Sequence, residues 1–328
     1  MKKALFDREP KPPPQLKPIE WLILLPIIAV VLSNFLLNLR GELPTWGDET
    51  FTLRLVSENW SEFFREIVSD VHPPLYFLLC KIFAGIPDLS GFNGAYHPRF
   101  FSYLLFIFLF YLTVSTPERW HEPGIKGGFK YRAILGLLIL GSAFFALFGP
   151  MMRYYALSAI FVVSATNALF FAINQNGGKK SFTAYAVYIW LAFSTSYLTA
   201  IVIPAHMLYV LRSPQADKRK FTRALIGLSI ASIPLIWLMA VQLRGINGGN
   251  WHGIRSFILH AIASGAFSIY SFTLGEFILP WKLAITLPAF AAFTFLLIYS
   301  FRRINSPYGK LIWLTFWVSL PIGAVALA

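Results

Sequence analysis

The chain has 328 residues, 56% of them hydrophobic and only 13% charged, with a net charge of +13. Together with a mean hydropathy of +0.60, these values exclude a soluble globular domain and point to an all-α, polytopic membrane protein. The positive excess falls in loops between apolar runs, so nucleic acid is not an expected partner, and the single cysteine, Cys80, excludes an intrachain disulfide.

Residues 1–18 form a basic, Pro-rich tail carrying Lys2, Lys3, Arg8, Lys11 and Lys17. The apolar run 19–39 follows; about 21 residues suffice to span a hydrocarbon layer of roughly 30 Å. No small-residue cleavage site follows it, so it reads as a retained helix with its basic end in the cytoplasm. Further apolar runs lie near 73–86, 99–116, 132–149, 153–173, 182–197, 198–211, 224–243, 256–274, 282–301 and 311–328.

Counting every run as a crossing places the basic loops around Lys126, Lys179 and Lys218 outside, against the positive-inside rule. Laying 73–86 and 256–274 on or within the outer leaflet brings those loops, and Arg302, Arg303 and Lys310, into the cytoplasm. The expectation is therefore about nine crossings, a multi-pass protein with its N-terminus inside and two large outer loops, 40–98 and 244–281. Residues 19–328 form one transmembrane domain. Its last run stops at Ala328 with no polar flank, the pattern expected of a piece of a longer chain.

In the first outer loop, "TWGDETFTLRL" places Asp48 and Glu49 close to where the first helix leaves the bilayer. A carboxylate there suits a general base toward a hydroxyl or amine, or a ligand of a divalent cation. The same acids are also what a helix N-terminus favours, and the pair alone leaves both readings open.

Val56, Trp60, Phe63/Phe64, Ile67 and Val71 then recur at helical spacing, with Asn59 and Glu62 placed as a capping box. One apolar stripe beside a membrane predicts a juxtamembrane helix lying in the interface. "SDVHPPLYFLL" ends one helix and starts another, because the residue before a proline is driven out of the α region; it presents His72 at the junction.

Two arginines follow. Arg99, in "YHPRFFSYLLFIF", precedes a long apolar span with Ser102 one turn on, and suits a snorkelling anchor as well as a ligand contact. Arg153, in "GPMMRYYALSAIF", stands in a very short outer turn, flanked by Tyr154 and Tyr155. A charge in that setting calls for a partner, and a guanidinium fork matches the oxygens of a lipid phosphate.

The order of basic tail, single helix, W-x-D-E loop, HPPLY, R-x-x-S and R-Y-Y-A-L resembles the GT-C superfamily of integral-membrane glycosyltransferases. Within it, the chain looks most like the branch of the protein O-mannosyltransferases and lipid A aminoarabinose transferases. The resemblance is densest over residues 19–175 and rests on topology beyond.

It implies transfer of a hexose or pentose from a polyprenyl-phosphate carrier to a protein, lipid or glycan acceptor on the outer or lumenal face, with inversion at the sugar. By that pattern Asp48 is the acceptor-activating base or metal-proximal acid, and Glu49 supports it. His72 lies at the cavity rim with Arg99 nearby, and Arg153, with Tyr155 beside it, meets the carrier phosphate.

Relatives often carry a Gln-Glu pair before the second arginine, where this chain has Pro150-Met151-Met152, so a second acidic contact and any divalent metal site stand open. A mobile loop in the family covers the donor, which makes His252 and Arg255, in "GGNWHGIRSF", secondary substrate-binding candidates; a packed or headgroup-facing role competes for both. The alternative from another class is a transporter or flippase of lipid-linked sugars. That reading predicts duplicated halves with broken helices, and no duplication is visible.

Overall fold

The computed structural model describes residues 45–86, 97–119, 148–174, 179–245, 282–303 and 307–326, with isolated positions at 136, 259, 262, 263, 266 and 267. The basic tail, the first apolar run, the loop around Lys126, most of 132–149, and His252 and Arg255 lie outside the described residues. Every regular element among the described residues is helical.

The outer loop folds as three short helices: α1 (Gly47–Ser57), α2 (Trp60–Ser69) and α3 (Leu75–Ala84). The long helices are α4 (His97–Arg119), α5 (Tyr155–Asn174) and α6 (Lys179–Thr195). A 3-10 turn, Tyr197–Ile201, leads into α7 (Val202–Arg212), followed by α8 (Lys218–Ala231) and α9 (Ile233–Gly245). The described chain closes with α10 (Leu283–Arg303) and α11 (Pro307–Ala326).

Pro98–Thr116 and Tyr155–Asn174 are long and apolar enough to cross a membrane, and the bent α8/α9 pair adds a third if it is one span. Nine crossings are not established by these helices. Tyr197–Arg212 is a shorter apolar element, and at 1.5 Å per residue α6 and that element each cover about 25 Å. At ten residues, α3 covers about 15 Å, half the layer.

The expected single span 224–243 is broken. Its halves meet at Ser232 with a bend of 48°, next to Pro234, whose ring has no N–H to donate and crowds the carbonyl one turn back.

The helices build two cores. In the bundle, Leu169, Phe182, Tyr185, Ile189, Val210 and Leu311 interlock α5, α6, α7 and α11. In the outer loop, Leu55, Phe63, Ile67, Tyr76, Phe77 and Cys80 pack with Met152 and Leu157. This second core roots α1 to α3 on the turn that precedes α5. Lys81 ties its corner: the buried ammonium donates to the carbonyls of Val56 (3.1 Å) and Glu58, and lies over the rings of Trp60 (4.9 Å) and Phe63 (5.2 Å).

The amphipathic stripe is corrected in two ways. Asn59 caps α2, its side chain accepting from the Glu62 N–H at 3.0 Å, so Val56 belongs to the preceding helix. The reciprocal half of the box is replaced by an ion pair between Glu62 and Arg65. The remaining apolar residues then divide: Phe63 and Ile67 enter the outer core, while Trp60, Phe64, Val68 and Val71 stay exposed. A ten-residue helix has room for both faces because α2 packs on the protein along one side only.

Candidate functional site

The site assembles where α1 begins, α2 ends and the turn before α5 arrives. Asp48 and Glu49 occupy the first turn of α1, and one residue of helical rotation separates their fates.

Glu49 points inward and is 2% exposed. Its carboxylate accepts from Arg99 Nε (3.2 Å) and a second guanidinium nitrogen (2.6 Å), from the Met152 N–H (2.9 Å) and from its own helix cap, the Trp46 N–H (3.1 Å). Four donors around two oxygens leave it little capacity to take a proton from a substrate. It supports the site by pinning α1 to α4 and to the Met152 turn. Arg99, expected at the ligand, is 4% exposed and commits its fork to Glu49. One turn on, Ser102 is also buried and shares a 2.7 Å hydrogen bond with the Tyr76 hydroxyl.

Asp48 points the other way, its side chain 62% exposed, and approaches the Arg153 guanidinium at 3.5 Å. Arg153 is 5% exposed. The same terminal nitrogen lies 3.4 Å from His72 Nε2, while Nε is buried without a hydrogen-bond partner among the described residues. Both contacts are long for charge-assisted bonds, which run near 2.7–2.9 Å. The Arg99 fork grips a carboxylate at 2.6 and 3.2 Å, whereas that of Arg153 is loosely held. Aromatic faces complete its walls, with Tyr154 centred 5.2 Å and Phe77 6.0 Å from the guanidinium carbon.

His72 sits in the bend that Pro73 and Pro74 impose between α2 and α3, with Pro74 as the cap of α3. Its Nδ1 meets Asp70 at 3.1 Å. A carboxylate there accepts, so Nδ1 carries the hydrogen and Nε2 turns its lone pair to Arg153. Burial raises the Asp70 carboxyl, but the His72 hydrogen bond, the Val71 N–H and the Arg153 charge together bring it below the ordinary value of 3.8. The Tyr154 ring lies against the imidazole at 5.0 Å, and burial next to Tyr155 pushes its phenol up to about 12. Tyr155 itself packs on Tyr154 (4.8 Å) and Phe148 (5.6 Å), one ring removed from Arg153.

The structure thus joins Asp48, His72 and Arg153 in one array, sets Glu49 and Arg99 beneath it as a buried prop, and places Tyr155 behind Tyr154. Sequence reading missed Asp70, although its spacing two residues before His72 suits a side-chain contact. It also missed Gln242 and Tyr197: Gln242 is a lone amide in an apolar helix, which is itself a signal.

A divalent ion needs six or more oxygen ligands in the common case. Among the described residues no group of three or more His, Cys, Asp or Glu is placed to hold one, and the nearest charge to Asp48 is a cation.

Comparison with known proteins adds no relative: no family model, no curated protein and no solved structure matches the chain.

Proposed function

We propose that the protein is a glycosyltransferase that moves a sugar from a polyprenyl-phosphate carrier to an acceptor at the outer or lumenal membrane face. The observation that carries this reading is the buried, loosely held Arg153 guanidinium beside the exposed Asp48 carboxylate. A buried cation with an unpartnered Nε suits a ligand that brings its own oxygens, and a lipid phosphate does so at headgroup depth. The arrangement of about nine crossings with a cytoplasmic N-terminus belongs to the same proposal and rests on the positive-inside rule.

In this scheme the phosphate of the donor replaces Asp48 and His72 as the acceptor of the Arg153 hydrogen bonds. Asp48, released and close to water, takes the proton from the hydroxyl or amine of the sugar acceptor. The acceptor oxygen or nitrogen forms a bond to the anomeric carbon while the carbon–oxygen bond to phosphate breaks. The electron pair leaves with the polyprenyl phosphate, and Arg153 offsets the added negative charge. Attack opposite the phosphate inverts the anomeric configuration. The aromatic walls keep water away from the guanidinium, which strengthens its hold on the leaving group.

The test is transfer from prenyl-phosphate sugars by purified protein in detergent, with Asp48→Asn and Arg153→Ala beside the wild type. Both variants lose at least about a hundredfold in turnover, the scale of a general base or a charge-stabilising group. Undiminished transfer by either refutes the assignment of that residue. Movement of the lipid-linked sugar across vesicles without transfer points to a transporter instead.

A further inference from the structure

We infer that Gln242 is a positioning residue for the proposed site: it holds the His72 backbone from a helix more than 150 residues away in sequence, and through it the imidazole against Arg153. This rests on the reading of Arg153 and His72 given above.

Gln242 lies in the last turn of α9, on an otherwise apolar stretch, and is 2% exposed. Burying a carboxamide is costly unless its hydrogen bonds are met, and here each end is. Nε2 donates to the Ile67 carbonyl at 2.8 Å and to the His72 carbonyl at 3.1 Å, and Oε1 accepts from the Tyr197 hydroxyl at 2.9 Å. The amide orientation follows from the partners, because two carbonyls only accept and must face the nitrogen.

The two carbonyls are telling. Ile67 O lies in the last turn of α2, where carbonyls have no helical donor. His72 O begins the Pro73-Pro74 bend, and among the described residues no backbone N–H donates to it. The Ile67 and His72 carbonyls flank the segment carrying Asp70, and Gln242 bridges the two. Tyr197, from the 3-10 turn, fixes the clamp in turn. Asp70 and Arg153 set the direction of the imidazole; Gln242 sets where the ring is mounted.

Two variants separate hydrogen bonding from packing. Gln242→Glu keeps the shape but offers at most one O–H to two carbonyls, and Gln242→Leu offers none. In both, turnover with a prenyl-phosphate sugar falls by about tenfold or more, because displacement of about 1 Å near a reacting centre has effects of this order. In a His72→Ala background the same changes have no further effect, whereas a residue acting on the fold as a whole lowers both backgrounds.

A second readout does not depend on transfer: the rate at which diethyl pyrocarbonate modifies His72, followed by mass spectrometry. It rises several-fold in both variants as the imidazole leaves Arg153, because the hydrogen bonds that order its backbone are lost. His206, fully buried between Thr166 and Tyr185, is the internal control and stays unmodified. Unchanged His72 modification, or equal exposure of His206, overturns the inference. If the wild type transfers no sugar while His72 responds as stated, the clamp stands and the glycosyltransferase reading falls.

Discussion

Replacing Arg99 with alanine tests the prop beneath the site. The Arg99 and Glu49 side chains are 4% and 3% exposed and meet through two hydrogen bonds, at 2.6 and 3.2 Å. Arg99→Ala leaves Glu49 buried with the Met152 and Trp46 N–H groups alone. Breaking one side of a buried pair costs about 3–5 kcal/mol, and the two surviving backbone donors favour the lower end. For a chain of this size, that lowers the unfolding temperature by on the order of 10 °C.

Cys80 provides the assay. It is the only cysteine, it is 0% exposed within the same outer core, and burial pushes its thiol up to about 12, so it reacts only when that core opens. A maleimide dye that fluoresces on thiol addition then reports the melting of this region in detergent. Arg99→Lys, which keeps the charge but not the fork, falls between wild type and alanine. Cys80 labelling at the wild-type temperature in Arg99→Ala would refute the view that this pair holds α1 in place.

The Asp70 carboxyl is held below its unfolded value of 3.8, so its pairing with His72 contributes stability above that pH and loses it as pH falls through the lower, folded value. Asp70→Asn therefore flattens the acid limb of a melting-temperature profile followed by circular dichroism; an unchanged limb contradicts the pairing. Lys81→Met removes the donor to Val56 and Glu58 and the cation over Trp60 and Phe63, at a cost of about 2 kcal/mol, read by the same Cys80 labelling. For topology, the loops around Lys126 and Lys218 resist amine labelling from outside intact cells; labelling of either overturns the nine-crossing arrangement.

The helical class, the α2 cap at Asn59 and the Pro-imposed junction at His72 were legible because each is a local effect of composition, capping or proline sterics. The pairing of Asp48 with Arg153 came from chemical expectation plus a resemblance, since no spacing relates positions in different elements. What sequence could not separate was Asp48 from Glu49. Adjacent residues on a helix point about 100° apart, and only the position of Arg99 and the Met152 N–H tells which is buried. The amphipathic stripe was legible only in part for a related reason: an apolar periodicity reports burial, whether by lipid or by Cys80, Phe77 and Leu55, and only the fold assigns Phe63 and Ile67 to the core. Gln242 depended on contacts with Ile67 and His72, which no local pattern contains.

The most direct measurement of the central claim is the affinity of a short-chain prenyl monophosphate for the wild type, Arg153→Ala and Asp48→Asn in detergent. If Arg153 is the phosphate ligand, its loss weakens binding by about tenfold or more, the worth of a charge-assisted hydrogen-bonded contact. Loss of the Asp48 charge, which competes with phosphate for the same guanidinium, tightens binding by up to about fivefold, as an exposed partner worth at most about 1 kcal/mol allows. Opposite signs are the predicted result; equal weakening by both variants, or indifference to Arg153→Ala, would contradict the account.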